Sequence, residues 1–129
     1  MSSEEFDYLS IEDLLEIASG VLDEVRVRDP GLLAVAAARP RTTVFGDDAY
    51  PTFEDKAAAL LHSLVRNYAL VDGNKRLAWS AARVFCLLNR RDLTYTVDEA
   101  EQMMLDAAAG GLDVRQLAAW LAARIGAAS

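Results

Sequence analysis

Apolar residues recur along this chain at the spacing of helix faces, and capping residues and glycines divide them into six segments. In the first segment, Ile11, Leu14, Leu15 and Ala18 form one apolar face behind a capping Ser10. The second, third and fourth helices are predicted to begin at Asp29-Pro30, at Thr52 with Asp55 three residues later, and near Asn74. The fifth begins at Thr96 with Glu99, and the sixth is capped by Asp113 and covers Val114–Ile125. We therefore predict a compact all-α fold of about six helices, a single domain over residues 1–129.

The stretch 39–51, between the second and third helices, breaks the helical pattern. It holds Pro40 and Pro51, β-branched residues between them, and a Gly46-Asp47 turn. Because proline and β-branched residues disfavour a long helix, we predict an exposed flap that could form a short β-hairpin.

Composition and charge narrow the classes of protein that this chain can be. Hydrophobic residues make up 53% of the 129 residues, which is enough for a packed core and too many for a disordered chain. The net charge of −7 argues against an extended nucleic-acid surface, because such a surface must be basic. A small basic pocket for a phosphorylated ligand is compatible with that charge.

The single cysteine and the apolar runs bear on the compartment. Cys86 has no partner cysteine and lies in an apolar run, so we expect a buried, unreactive thiol. The acidic start of the sequence lacks the basic and apolar regions of a signal peptide, and the longest apolar stretch, near Leu32–Ala38, is too short to span a bilayer. We expect a cytoplasmic protein with no membrane partner and no direct nucleic-acid partner.

The loop between the third and fourth helices carries the clearest chemistry. Gly73 and Asn74 stand where the loop becomes a helix, so backbone N–H groups there lack intrahelical partners and, with the helix dipole, favour an anion. Lys75 and Arg76 add two positive charges, and arginine can hold a phosphate through two hydrogen bonds. Asp72 cannot help to bind a bare phosphate but suits Mg²⁺ that is bound to one. These five residues predict a site for a magnesium-bound phosphate.

A simpler interpretation of the same residues stays open. Asp72-Gly73-Asn74 could be only a turn and a helix cap, with Lys75 and Arg76 in solvent. The residue types alone are compatible with either interpretation.

The run Val71-Asp72-Gly73-Asn74-Lys75-Arg76 resembles the core of the Fic/Doc motif, H-x-F-x-D/E-G/A-N-K/G-R, in the form that has Lys after Asn. The similarity extends to the Leu9-Ser10-Ile11 start of the first helix, to the flap, to the Lys56–Val65 helix and to the apolar helix after the motif. It covers nearly the whole chain and is weakest at the C-terminal helix. The resemblance implies an all-α fold with the motif between two central helices. It also implies a flap over the site that docks the target, formed here by Arg41, Thr42, Thr43, Val44 and Phe45.

The resemblance further implies an activity. Fic members with Gly after Asn usually transfer AMP from ATP to a hydroxyl of a target protein, whereas Doc members with Lys there transfer phosphate to a threonine of translation elongation factor Tu. Lys75 therefore favours phosphoryl transfer from ATP, and AMP transfer is the alternative. By position, Asp72 would hold Mg²⁺, Gly73 and Asn74 would form the anion-binding turn, and Lys75 and Arg76 would bind the phosphates.

Position 68 departs from the family pattern. The catalytic His of the motif falls on Tyr68, and its usual Pro and Phe fall on Ala69 and Leu70. The motif His acts as a general base toward the target hydroxyl, whereas a free phenol, with a pKa of about 10, keeps its proton at neutral pH. Loss of a general base typically slows a reaction by roughly 10²–10⁴-fold, so we expect this chain to be inactive or weakened.

Three explanations for Tyr68 stay open. It could be an engineered change that disarms a lethal toxin, the mark of a natural member that retains only binding, or a natural base whose phenolate is favoured by Arg66 or Arg76. His62 lies more than one and a half helical turns before Tyr68, so we interpret it as a partly buried structural residue. We place Trp79, Trp120 and the pair Met103-Met104 in the core, and Asp98, Glu99 and Glu101 in a helix cap and solvated face.

The last predictions concern function and partners. The resemblance implies the toxin of a toxin–antitoxin pair. The competing hypotheses are a nucleotide- or antitoxin-binding module without catalysis and a helical interaction domain without a nucleotide site. Many Fic proteins carry an inhibitory pattern, S/T-x-x-x-E-G/N, whose Glu pairs with the motif Arg, and this chain has no such pattern. We therefore expect an antitoxin to supply an inhibitory helix in trans, with an acidic residue near Arg76 and an apolar groove formed by the first helices and Arg41–Phe45.

Overall fold

Six α-helices and two small antiparallel strand pairs make up the fold in a computed structural model that describes residues 5–128. The helices are α1 (Ile11–Val21), α2 (Pro30–Ala38), α3 (Phe53–Arg66), α4 (Asn74–Leu88), α5 (Val97–Ala108) and α6 (Val114–Ala122). The strands are β1 (Thr43–Val44), β2 (Asp47–Asp48), β3 (Arg91–Leu93) and β4 (Ile125–Ala127), and a 3₁₀ turn covers Arg39–Arg41. The predicted all-α class and the number of helices are confirmed. No helix between residues 5 and 128 is both long enough and apolar enough to cross a bilayer.

Side-chain caps explain where most of these helices begin. The capping residues are Asp29 for α2 and, each in a capping box, Ser10, Thr52, Thr96 and Asp113 for α1, α3, α5 and α6. Of the six α-helices in the described part of the chain, only α4 has no capping side chain, because its N-cap residue is Gly73. That exception falls on the candidate motif.

The helix α3 lies at the centre of the fold. Ten of its 14 residues are buried, so it meets neighbours on nearly every side, and it packs against α2, α4, α5 and α6. Phe53 at its start stacks on Phe85 of α4, with 4.8 Å between the ring centroids. The loop at 67–73 therefore joins two helices that share the core.

The flap is a β-hairpin, as the sequence suggested. Thr43 pairs with Asp48 and Val44 with Asp47. The turn lies at Phe45 and Gly46, one position earlier than the predicted Gly46-Asp47 turn, because Asp47 pairs with Val44 as the first residue of β2. Phe45 and Gly46 have φ angles of 53° and 85°, which is the geometry of a tight two-residue hairpin turn.

The C-terminal helix is shorter than predicted. It ends at Ala122 rather than Ile125, and Ile125–Ala127 forms β4, which pairs antiparallel with β3. Leu121 and Ile125 have helical spacing, so the sequence pattern favoured one continuous helix. The strand pairing overrides it, because Ile125 lies opposite Leu93, a residue 32 positions earlier in the chain.

Candidate active site in a groove at the motif loop

The motif loop is held in one shape by Asn74. The Oδ1 atom of Asn74 accepts a hydrogen bond from the Leu70 N–H at 3.0 Å, and its Nδ2 atom donates to the Leu70 carbonyl at 3.0 Å. Leu70 is only 1% exposed, so its side chain anchors the loop in the core. The connector between α1 and α2 adds an antiparallel bridge between Val27 and Leu70 and a 2.9 Å bond from the Val71 N–H to the Arg26 carbonyl.

The helix α4 begins with an open N-terminus. Gly73 has φ 86° and ψ 14°, a left-handed conformation that glycine adopts without strain. A Cβ at this position would lie 2.6 Å from the Leu22 Cδ2 atom, so the close approach also favours glycine. Since Gly73 has no side chain to cap the helix, the first N–H groups of α4 are left to an external acceptor, and the helix dipole favours an anion there.

Charged side chains surround this helix end. Lys75 and Arg76 are exposed on the first turn of α4, and Arg76 Nη1 donates to the Val21 carbonyl at the end of α1 at 3.3 Å. The Asp72 Oδ1 atom accepts from the Gly73 N–H at 2.9 Å. Within residues 5–128 no three His, Cys, Asp or Glu side chains come together to hold a metal. Asp72 therefore fits Mg²⁺ only where phosphate oxygens complete the metal's ligands.

A groove of about 840 Å³ opens at the start of α4. Its lining includes all six of the predicted loop and helix residues, Tyr68, Asp72, Gly73, Asn74, Lys75 and Arg76. The opposite wall belongs to α5, which contributes Val97, Ala100, Glu101, Met104, Leu105 and Ala108. The rest of the lining consists of Leu22, Val65, Val71, Trp79 and Tyr95. The groove is basic at one end and mainly apolar along α5, so it can bind an anion that carries an apolar or aromatic group.

The α5 wall was missed by the sequence interpretation. Met104 was assigned to the core and Glu101 to a solvated face, and both also line the groove. The signal was present in the sequence: Val97 and Leu105 lie on the outward side of α5, where 66% and 53% of their surface is exposed. Exposed apolar residues at helical spacing opposite the core face can indicate a ligand surface.

Tyr68 points its half-exposed side chain into the groove, from a backbone with φ 53°. The third explanation for this residue required a guanidinium beside the phenol. Arg66 instead donates to the Ala108 carbonyl, and Arg76 to the Val21 carbonyl. Among residues 5–128, neither guanidinium forms a hydrogen bond with the Tyr68 hydroxyl.

His62 is a structural residue, as predicted. Arg39 Nη1 lies 3.1 Å from His62 Nδ1, and the same nitrogen donates to Ser63 Oγ at 3.0 Å. Burial lowers the pKa of His62 below its ordinary value, and the charges of Arg39 and Arg66 lower it further, against an opposite effect of Asp113. His62 does not line the groove and cannot replace the motif His there.

The flap does not contribute to this groove. None of Arg41, Thr42, Thr43, Val44 and Phe45 is among the lining residues, and Phe45 at the hairpin tip is fully exposed. The base of the hairpin is held by Lys56, which is buried and whose Nζ lies 3.3 Å from the Pro40 carbonyl and 3.5 Å from Asp48 Oδ2. Target docking by the flap stays a prediction.

Comparison with known proteins agrees with the motif and the fold. A sequence model described as the Fic/DOC family matches residues 8–86, a range that contains the flap, α3 and the motif loop. The chain is also 51% identical over 119 residues to the curated protein Toxin Doc of Mycolicibacterium smegmatis, covering 90% of this chain and 92% of that protein. The match to the family extends over more than half of the chain, and the relative aligns almost end to end. The chain therefore belongs to the Fic/Doc family.

Proposed function

We propose that this protein is the toxin of a toxin–antitoxin pair, built to transfer phosphate from ATP to a threonine of translation elongation factor Tu. The likeness to Toxin Doc supports the toxin assignment. The observation that carries the nucleotide site is the uncapped N-terminus of α4 at Gly73, beside Lys75 and Arg76. The other five α-helices of the described chain are capped by their own side chains, so the one open N-terminus coincides with the basic end of the groove.

In this proposal the chain's own groups neutralise the phosphates. Backbone N–H groups of the first turn of α4 bind phosphate oxygens, and Lys75 and Arg76 offset their charge. Mg²⁺, held by Asp72 when bound, supplies further neutralisation of the phosphate oxygens. The apolar α5 wall accommodates the nucleoside, since Val97, Ala100 and Met104 offer it apolar surface.

The transfer step needs a base at position 68. A bond forms between the threonine oxygen and the γ-phosphorus of ATP, the bond to the bridging oxygen breaks, and ADP leaves. The proton of the threonine hydroxyl passes to the base. With Tyr68 in that place, the chain keeps the phosphate-binding elements and lacks the family's base, so we propose that it is inactive or strongly weakened.

The phenol at position 68 favours a second candidate, a binding module without catalysis. Tyr68 leaves the Asn74–Leu70 contact and the open end of α4 intact. A chain of this kind still binds nucleotide and antitoxin. In both proposals the antitoxin acts in trans, with an apolar helix face against the protein and an acidic residue near Arg76.

Calorimetric titration with Mg²⁺-ATP tests the nucleotide site directly. We expect binding by the unmodified chain and a loss of affinity of about tenfold or more for Lys75→Gln and for Arg76→Gln, because each removes a charge-assisted contact to phosphate. Arg115→Gln is the matched control, since Arg115 is an exposed cation of α6 outside the groove. No binding by the folded chain, or equal losses in all three variants, would contradict the proposal.

A further inference from the structure

The backbone at residue 68 has an unusual conformation. Tyr68 has φ 53°, in the left-handed region that side chains with a Cβ rarely occupy. Such a conformation persists only where the surroundings hold it. Since Tyr68 lines the groove, its backbone angle decides where the side chain at this position points.

Arg28, in the connector between α1 and α2, holds that backbone. Its Nε atom donates to the Tyr68 carbonyl at 2.6 Å, and its Nη2 atom donates to the Asn67 carbonyl at 3.0 Å. The next carbonyl, that of Ala69, accepts from the N–H groups of Arg28 at 2.8 Å and Asp29 at 3.0 Å. Three successive carbonyls after α3 are thus bound by one short stretch of the connector.

The chemistry of arginine suits this place. The carbonyls at the end of α3 have no intrahelical donors, and a cation is favourable at a helix C-terminus. The planar guanidinium presents two N–H groups at a fixed angle to two successive carbonyls, which a lysine ammonium cannot do in the same way. Arg28 is exposed and forms no ion pair with a carboxylate of residues 5–128.

We propose that Arg28 is a positioning residue, which fixes the left-handed backbone of residue 68 and so directs the side chain at that position into the groove. Its link to catalysis rests on the proposed function, because that function places the base at position 68. The effect of Arg28 on the backbone of residue 68 does not depend on the proposed function. Removing an exposed guanidinium leaves the core intact, and the main-chain bonds between the connector and residues 69–71 also remain.

The first test needs no activity. In ¹⁵N,¹³C-labelled protein, Arg28→Ala should change the backbone chemical shifts and the HN–Hα coupling of Tyr68. Arg26→Ala is the matched control, because within residues 5–128 the Arg26 side chain pairs only with exposed Glu24, at 3.5 Å. The proposal is overturned if Arg28→Ala changes the signals of Tyr68 no more than Arg26→Ala does.

The second test uses the Tyr68→His background. Adding Arg28→Ala should lower kcat for transfer by about 10- to 100-fold through misplacement of the base, with KM for ATP changed less than about twofold. Arg28→Lys should recover only part of the loss, and Arg26→Ala should change neither constant. An unchanged kcat, or a change confined to KM, overturns the positioning role. If the Tyr68→His chain itself transfers nothing, the proposed function fails, while the spectroscopic comparison still decides the role of Arg28.

Discussion

Asn74 and Leu70 bond to each other in both directions: the Asn74 Oδ1 atom accepts from the Leu70 N–H and its Nδ2 atom donates to the Leu70 carbonyl, both at 3.0 Å. Asparagine is suited to this contact because one short planar amide carries both an acceptor and a donor. The side chain therefore shapes the loop, while the backbone at the start of α4 faces the groove. The contact shows how Asn74 shapes the turn at the start of α4, and anion binding by this turn stays a prediction.

Replacing Asn74 tests that contact. Asn74→Ala should lower the free energy of unfolding by about 1–3 kcal/mol, because both polar groups of Leu70 lose their partners in a partly buried loop. Asn67→Ala is the control, since the Asn67 side chain makes no hydrogen bond in the described structure. Urea denaturation measures both variants, and equal effects would show that the contact does not hold the loop.

Gly73→Ala tests the open helix end. Alanine at φ 86° is strained, and its Cβ would force the Leu22 side chain aside, so we expect a loss of about 1–2 kcal/mol in the free energy of unfolding. The comparison is Gly20→Ala, where a Cβ meets nothing within 4 Å and where alanine favours the helix. Thermal unfolding should separate the two, with the melting temperature lower for Gly73→Ala and equal or higher for Gly20→Ala. A Gly73→Ala variant as stable as Gly20→Ala would speak against strain at this position.

The pH dependence of stability should carry a contribution from His62. Its pKa is lowered in the folded protein by burial and by Arg39 and Arg66, so the unfolded chain takes up the proton more readily. The contribution of neutral His62 to the free energy of unfolding is therefore complete at pH values above its ordinary pKa of 6.5. This contribution is lost as the pH falls below 6.5 and through the lower pKa of the folded protein. NMR titration of the His62 ring checks the direction of the pKa change. Denaturation of His62→Gln at several pH values checks the effect on stability, because this part of the pH dependence should vanish in that variant. A ring that titrates at or above 6.5 would contradict it.

The features that the sequence predicted are local ones. Caps such as Thr52 and Thr96 bond within one helical turn, so they locate helix starts without knowledge of the fold. The missed features depend on residues far apart in the chain. The strand at Ile125 exists because Leu93 lies opposite it, and Arg28 reaches the carbonyl of a residue 40 positions away.

In the groove too, local features could be predicted from the sequence, and contacts between distant residues could not. Its basic end is one continuous run, Asp72–Arg76, which can be interpreted from sequence. Its apolar wall comes from α5, and only the packing of that helix brings Val97 and Met104 opposite the motif. No periodicity within α5 indicates which distant loop it faces.

Lys75 should select which part of ATP is transferred. In the Tyr68→His background, Lys75→Gly should shift the product on the target protein from phosphate toward AMP, because glycine at this place is typical of family members that transfer AMP. Mass spectrometry of the modified target distinguishes the two adducts. Phosphate as the sole product after Lys75→Gly would show that Lys75 is not the selector.

The most direct measurement of the central claim is the intact mass of elongation factor Tu after incubation with the Tyr68→His variant and Mg²⁺-ATP. The groove presents the open end of α4 with Lys75 and Arg76, and the proposed function then requires a base at position 68. We predict that the target gains the mass of one phosphate, at a rate at least about 10²-fold above that of the unmodified chain. A folded Tyr68→His protein that binds Mg²⁺-ATP and leaves the target unmodified would contradict the account.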